Sequence, residues 1–111
     1  MQAMSHQWTP TYPTWRPSYV DDIFVTSMTL FNAREDVDYY EIQVLDEEMN
    51  SVPFATGERI YNIDHLRRKV IDVYVSSKDL DRAVYICSRS KSLAQGGGIT
   101  ILSSRICSKS K

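Results

Sequence analysis

The sequence predicts an all-β domain, an antiparallel β-sandwich with an extended N-terminal arm. Two observations carry this prediction: apolar and polar residues alternate in several short runs, and polar turns separate these runs at roughly ten-residue intervals. A single domain is expected from 111 residues, a length that buries roughly two-thirds of the unfolded surface. The apolar fraction of 42% and the charged fraction of 24% exclude a collagen-like or wholly disordered chain.

Residue patterns place the predicted strands along the body of the chain, by alternation at residues 39–46 and 70–75 and by β-branched and aromatic content at residues 22–31. In the run from Tyr39 to Asp46, every second residue is apolar, so one face of that strand is expected to be buried. Pro53 marks a sheet edge or a strand start. The predicted strands are residues 22–31, 39–46, a short one at 53, 70–75, 83–88 and 99–107. Single helical turns are predicted at residues 63–69 and 77–81, and a glycine-containing hairpin loop at residues 90–98.

Residues 1–19 form the arm, which precedes a predicted sandwich at residues 20–107 and a short basic tail at residues 108–111. The arm's aromatic residues have the spacing of a helix face, but prolines at positions 10, 13 and 17 exclude a helix. An extended, polyproline-like arm is expected, with a reach of about 60 Å at ~3.1 Å per residue.

The arm is rich in aromatic residues and carries a single charge, which indicates that it binds a partner. Aromatic anchors are typical of protein interfaces. The alternative is that the arm folds back onto its own domain. On the docking interpretation, removing the arm should leave the sandwich folded. The expected partner-binding residues are Trp8, Tyr12, Trp15, Arg16 and Tyr19.

The net charge of −1 conceals an asymmetry. Residues 1–66 carry a charge of −8, residues 67–111 carry +7, and no acidic residue occurs after Asp81. This pattern is typical of a basic segment for nucleic acid or of a dipolar subunit that stacks against its neighbours. The alternative is that the two halves meet within one fold and largely cancel.

The segment Asp81-Arg-Ala-Val-Tyr85-Ile-Cys87 matches D-x-A-x-Y-x-C, and the match resembles the start of strand F in immunoglobulin domains. The resemblance implies structural roles for Asp81, Tyr85 and Cys87, with the Tyr85 hydroxyl bonded to upstream backbone as a tyrosine corner. It implies an immunoglobulin-like sandwich over residues 20–107. The sequence departs from the antibody pattern because no cysteine precedes Cys87 and the tryptophan of strand C is missing.

A second pattern runs from Phe31 to Pro53, where a strand ends in Asn32 and a turn leads into Y-x-I-x-V-L-D. It is similar to sandwich modules of fimbrial chaperones and of bacteriophage virion proteins. The resemblance implies a structural or interaction subunit, specifically a virion component of the head decoration, neck or tail. Such a subunit is made in the host cytoplasm and located in the virion, with other virion proteins and copies of itself as partners.

Catalytic motifs are not evident, and we expect no enzyme activity, no catalytic residue and no small-molecule substrate. His6 and His65 lack companions at metal-ligand spacing, so neither a metal site nor a cofactor is expected. The glycines at 96–98 lack the Lys-Ser/Thr of a phosphate-binding loop. Glu47 and Glu48 are adjacent in a predicted turn, which favours solvation over paired acid–base catalysis.

The N-terminal residues lack the basic and apolar segments of a secretory signal, and no apolar run approaches the ~20 residues of a membrane span. A cytosolic origin without membrane contact is expected, and with it free thiols. Cys87 and Cys107 face each other if their hairpin is centred on Gly97, whereas a centre at Gln95 opposes Cys87 to Ser103. A cross-strand disulfide is the alternative and requires oxidising surroundings.

A single-stranded nucleic-acid-binding protein is the alternative function. In a C-terminal hairpin, Arg89 and Arg105 could share a face with Tyr85 as a stacking platform. Against it, the pI of about 6.1 is low for a nucleic-acid binder, and most aromatic residues lie elsewhere. The basic residues in question are Arg82, Arg89, Lys91, Arg105, Lys109 and Lys111.

Overall fold

The structure is a computed structural model, and it describes residues 6–91 and 104–111. These residues form two antiparallel sheets that pack as a sandwich, so the all-β fold class is confirmed. One short 3-10 turn covers Leu80–Arg82. The strands are β1 (Gln7–Thr9), β2 (Arg16–Pro17), β3 (Ile23–Phe31), β4 (Tyr39–Leu45), β5 (Ile60–Asn62), β6 (Arg68–Ser76), β7 (Tyr85–Lys91) and β8 (Arg105–Lys109).

The first sheet is built around β3. Strand β6 pairs with β3 over its whole length, from Ile23↔Ser76 to Phe31↔Arg68. Since β6 occupies one edge of β3, both β1 and β2 lie on the other edge, β1 near the end of β3 and β2 near its start. The second sheet has the order β5–β4–β7–β8.

The core lies between the two sheets, and the predicted period of two decides which side chains enter it. In β4 and β6, every second residue is buried, as the sequence predicts. Residues on the other face of β4 are half-buried. The buried apolar residues of these two strands are Tyr40, Ile42, Val44, Leu45, Ile71, Val73 and Val75.

Several predicted boundaries differ from the structure. The predicted helical turn at 63–69 is wrong, because this segment contains only a turn at residues 65–66 and β6 already begins at Arg68. Strand β5 was not expected, since it is only three residues long. The last strand begins at Arg105 in the described part of the chain and continues to Lys109, so the predicted basic tail begins within a strand. Most of the predicted hairpin loop at 90–98 lies outside the described residues.

The arm is extended, but it is not free of the domain. Strands β1 and β2 pair with β3, which is the alternative in which the arm folds back. The prolines permit this pairing because none lies within β1, and Pro17 lies at the end of β2, an edge strand. In β1, Trp8 points inward between the exposed Gln7 and Thr9. Main-chain contact also joins the arm to the last strand, since the Lys109 amide donates to the Thr11 carbonyl at 3.0 Å. We therefore expect removal of the arm to disrupt the sandwich.

Candidate functional site

The five residues expected to bind a partner separate into two groups. The Trp8 side chain is only 5% exposed, and its Nε1 donates to the Ile86 carbonyl at 2.9 Å. Trp15 is half-buried against the core. The prediction that the two tryptophans seat on a neighbouring subunit is therefore wrong for Trp8, because strand pairing turns it into its own core.

The other three arm residues face solvent. Tyr12 is 76% exposed and Tyr19 is fully exposed, with the accessible Val20 beside it. Arg16 lies opposite Val25 on the outer face of the first sheet, and its guanidinium reaches the Ser27 hydroxyl at 3.5 Å. We call the residues Tyr12, Arg16, Tyr19 and Val20 the arm surface.

A groove borders the arm surface along the outer face of the first sheet. Its volume is about 630 Å³. Its walls combine aromatic and aliphatic side chains with one cation and one carboxylate, so it can take up an apolar side chain beside a polar group. The lining residues are Arg16, Pro17, Ser18, Tyr19, Val20, Val25, Asp72 and Tyr74.

Beneath the arm, a buried polar cluster centres on Asn32. Its Nδ2 donates to the carbonyls of Val37 at 2.8 Å and Ile63 at 2.7 Å. Its Oδ1 accepts from the Tyr40 hydroxyl and from the Arg34 amide. Burial raises the pKa of Tyr40 to about 12, so this phenol donates throughout the physiological range. The cluster fixes the loop between β3 and β4.

Arg34 extends this cluster toward the last strand. Its guanidinium makes two bonds to the Asp36 carboxylate, at 2.9 and 2.7 Å, and lowers the pKa of that carboxyl. The same guanidinium donates to the hydroxyls of Ser90 at 3.3 Å and Ser104 at 3.4 Å. Because Arg34 itself is buried, this network ties the β3–β4 loop to β7 and to the start of β8.

His6 shares a hydrogen bond of 2.7 Å with the Ser88 hydroxyl, between its Nε2 and the serine Oγ. Both residues are buried, and the His6 ring lies 4.7 Å from the Tyr40 ring. Loss of hydration on burial lowers the pKa of His6 to about 4, and the Arg34 charge acts in the same direction. Among the described residues, His6 Nδ1 has no partner. This buried hydrogen bond holds the arm in place, because it joins His6 of the arm to Ser88 of β7.

The residues assigned structural roles by resemblance have different environments. Tyr85 begins β7 and is half-buried, and its hydroxyl makes no hydrogen bond within the described part of the chain. The predicted tyrosine corner is therefore not formed there. Asp81 is exposed, and the Lys111 ammonium lies 3.5 Å from its carboxylate. The buried tyrosine with a bonded hydroxyl is Tyr40.

Cys87 and Cys107 form a disulfide, so the prediction of free thiols is wrong. The two residues are direct cross-strand partners in β7 and β8, which is the register centred on Gly97. Such opposite positions bring the β-carbons close enough to be bridged. The bridge lies on the outer face of the second sheet, since the neighbouring residues Ile86 and Ser88 point into the core.

The same outer face carries a basic cluster. Arg89 lies directly opposite Arg105, and Tyr85 lies opposite Lys109. All four share one face of the hairpin because they occupy alternate positions, as the sequence predicts. Neither arginine has an ion-pair partner within residues 6–91 and 104–111, whereas the nearby Lys91 pairs with Glu41 at 3.3 Å. We call Tyr85, Arg89, Arg105 and Lys109 the basic face.

The polar cluster around Asn32 was not recognised in the sequence, because its members meet only in the folded chain. The one local signal is an Asn at a strand end before a polar turn.

In the part of the chain that the structure describes, no helix is long and apolar enough to span a membrane. The same residues hold no group of three potential metal ligands. Scans against protein-family models and curated proteins found no match.

Proposed function

We propose that this chain is a structural or interaction subunit of a larger protein assembly and that it docks through the arm surface. The observation that carries the proposal is the full exposure of Tyr19, with Tyr12 at 76%. Large aromatic side chains held in water favour burial, at about 25 cal/mol for each Å² covered. Arg16 adds a cation that fits an acidic rim on the partner.

The arm surface is held in position before any partner binds. Its backbone is fixed on one side by β1, on the other by β2, and between them by the bond from Lys109 to Thr11. At its end, the Ser18 amide donates to the Ile23 carbonyl at 2.9 Å. Because the segment is already ordered, docking loses less conformational entropy than binding by a free arm would.

A bacteriophage virion is the specific assembly that we propose, with other virion proteins and copies of this chain as partners. The proposal rests on the resemblance of the Phe31–Pro53 segment to virion sandwich modules. The strand order supports an immunoglobulin-like sandwich, since β8–β7–β4–β5 follows the order G-F-C-C′ and β6–β3–β1 follows E-B-A. The disulfide departs from that family, because it joins the last two strands.

The test compares incorporation into particles. A tagged chain is produced together with the other proteins of its natural source, and particles are sedimented and quantified by mass spectrometry. We expect Tyr12→Ala/Tyr19→Ala to reduce incorporation at least about tenfold while leaving the thermal transition unchanged. Met49→Ala/Ile60→Ala is the matched control, because it removes exposed apolar side chains outside the arm. Equal incorporation of the two variants contradicts the proposal, as does a wild-type chain that stays out of every particle.

Single-stranded nucleic acid is the second candidate partner, and the basic face favours it. Two directly opposed arginines repel each other, and a bound phosphate relieves that repulsion. Tyr85 on the same face offers a surface on which a base can stack.

Fluorescence anisotropy with a labelled oligothymidylate tests this candidate at physiological salt. We expect Arg89→Gln/Arg105→Gln to weaken binding at least about tenfold and to reduce its salt dependence. Arg59→Gln/Arg67→Gln is the control, since it removes the same charge outside the basic face. No binding by the wild-type chain at micromolar concentration contradicts this function.

A further inference from the structure

Within the described residues, the outer edge of β6 is free over five positions. Strand β3 occupies the other edge of β6 along its full length. On the outer side, the structure records one bridge, in which Tyr74 and Ala55 exchange two backbone hydrogen bonds of 2.9 Å. From Arg68 to Asp72, no other described segment pairs with this edge. An unpaired strand edge is a template for another strand.

The bridge to Ala55 fixes which residues of β6 direct their backbone groups outward. Tyr74 points its N–H and C=O away from β3 because it uses both groups on Ala55. In an antiparallel ladder this orientation alternates from residue to residue. Asp72, Val70 and Arg68 therefore also direct their N–H and C=O groups outward, while Ile71 and Lys69 direct theirs toward β3.

We propose that two copies of this chain associate by antiparallel pairing of their β6 strands about a two-fold axis at Val70. In this register, Val70 lies opposite Val70 of the second copy, and Arg68 lies opposite its Asp72. The outward-pointing residues pair only with one another, so each facing pair exchanges two hydrogen bonds. The contact is isologous and closes after two copies.

The side chains along this edge are complementary in the proposed register. Arg68, Val70 and Asp72 are exposed on the same outer face, and Val70 is 60% exposed. Pairing covers the two valines at the axis and places an Arg–Asp ion pair on each side of it. Arg68 already stacks on the Phe31 ring at 5.7 Å, and the Ser27 hydroxyl donates to the Asp72 carboxylate. Both charged groups are thus partly ordered before association.

Neighbouring registers are excluded by the same residues. A shift that centres the pair on Lys69 places the two lysines directly opposite each other, which is destabilising. A shift that centres it on Ile71 places Arg68 opposite Tyr74, whose backbone groups are already bonded to Ala55. A shift that pairs even with odd positions opposes outward-pointing groups to groups already used on β3. The edge therefore specifies one self-pairing register.

The proposed dimer contact does not include the arm surface, which lies on the opposite edge of β3, although Asp72 also lines the groove beside that surface. Dimerisation of the isolated chain is measured without any other protein, so its outcome is distinguishable from that of the docking test. Sedimentation velocity of the full chain over a concentration series tests it. We expect the wild type to dimerise reversibly. Arg68→Asp and Asp72→Arg, each alone, should weaken dimerisation at least about tenfold, because each places two like-charged pairs at the contact.

Mixing the two single variants is the decisive measurement. In the mixed dimer, the new carboxylate at position 68 of one chain faces the new guanidinium at position 72 of the other. The second contact retains the natural pair of Arg68 and Asp72, so we expect a heterodimer with wild-type affinity. Arg105→Asp is the matched control, because it makes the same charge change on a strand outside the contact and should leave dimerisation unchanged. A monomeric wild type at every concentration overturns the proposal, as does a dimer that the single variants leave intact or that mixing does not restore.

Discussion

Asn32 uses all four hydrogen-bonding positions of its side chain in the core. Its amide has two donor positions and two acceptor positions, and the structure fills each one. A buried polar side chain without these bonds would destabilise the fold, whereas a fully bonded one fixes a single arrangement of the neighbouring backbone. The loop after β3 therefore depends on one residue whose bonding pattern neither Asp nor Leu reproduces.

Tyr40 and Tyr85 provide a matched test of what one tyrosine hydroxyl contributes to stability. We expect Tyr40→Phe to lower the free energy of unfolding by about 1–3 kcal/mol, because it leaves a buried acceptor of Asn32 with one partner fewer. Tyr85→Phe should change it by less than about 0.5 kcal/mol, since that hydroxyl makes no hydrogen bond in the described part of the chain. Urea unfolding measures both. If Tyr85→Phe lowers the free energy of unfolding as much as Tyr40→Phe or more, the Tyr85 hydroxyl makes a stabilising hydrogen bond, as the tyrosine-corner prediction requires.

His6 makes the stability dependent on pH. Its pKa is about 4 in the folded chain against 6.5 in the unfolded one, so the unfolded state takes up a proton first as the pH falls. The stabilisation is complete above pH 6.5 and is lost progressively down to about pH 4, by at most about 3 kcal/mol. Asp36 and Asp79, whose pKa values are lowered, contribute below this window.

Urea midpoints measured from about pH 7 to about pH 4 check this expectation. In His6→Gln the slope within this range should largely disappear, whatever the absolute stability of the variant. An NMR titration of the His6 ring that shows protonation near its ordinary pKa of about 6.5 contradicts the assignment.

Strands β1 and β2 are short, and the arm stabilises the fold through the side chains that it positions in the core. They contain three and two residues, too few to be stable alone. Strand β1 inserts Trp8 between the sheets, and His6, the residue just before β1, forms a hydrogen bond with Ser88 of the opposite sheet. The arm thus joins the two layers of the sandwich.

Trp8→Ala tests the contribution of the arm. We expect it to lower the free energy of unfolding by about 3–5 kcal/mol, through the lost apolar burial and the lost hydrogen bond from the indole to the Ile86 carbonyl. Tyr19→Ala is the control and should have an effect within about 0.5 kcal/mol, because its side chain lies in solvent. Denaturant unfolding of both variants measures the difference. A neutral Trp8→Ala would show that the arm is not part of the core.

The alternation of apolar residues predicted β4 and β6 well, because a half-buried strand imposes a period of two on its own sequence, and the β-branched and aromatic residues of 22–31 predicted β3. The arm was harder to predict, because strands of two or three residues are too short to show a period. Trp8 enters the core of its own domain because β3 has a free edge with which β1 can pair. That edge exists only in the folded chain, so the sequence pattern does not show it. The disulfide register was one of two alternatives, since the sequence does not fix the centre of the hairpin.

Across the whole molecule, the acidic and basic halves of the chain interleave. Each sheet contains strands from both halves: β3 lies beside β6, and β4 lies beside β7. The ion pair between Glu41 and Lys91 crosses the second of these boundaries. Strands of the acidic and basic halves therefore lie side by side in each sheet, and the basic face remains as a local surface.

The disulfide is expected to stabilise the whole domain. Closing a loop with a sequence separation of 20 residues contributes about 3 kcal/mol by the chain-entropy relation. Cys87→Ser/Cys107→Ser should lower the urea midpoint accordingly, and a reducing agent should shift the wild type but not the variant. Intact mass under non-reducing, denaturing conditions provides the direct check, since the bonded chain is lighter by about 2 Da. The full reduced mass contradicts the bond.

The same bond limits how far the chain can be stretched. When the ends are pulled apart by force, the residues between Cys87 and Cys107 bear no tension while the bridge is intact. At roughly 3.3–3.6 Å per residue, the separation of 20 residues withholds about 70 Å of contour length. A subunit linked in series between its neighbours would thus keep its C-terminal hairpin closed under load, and would release that length only after reduction.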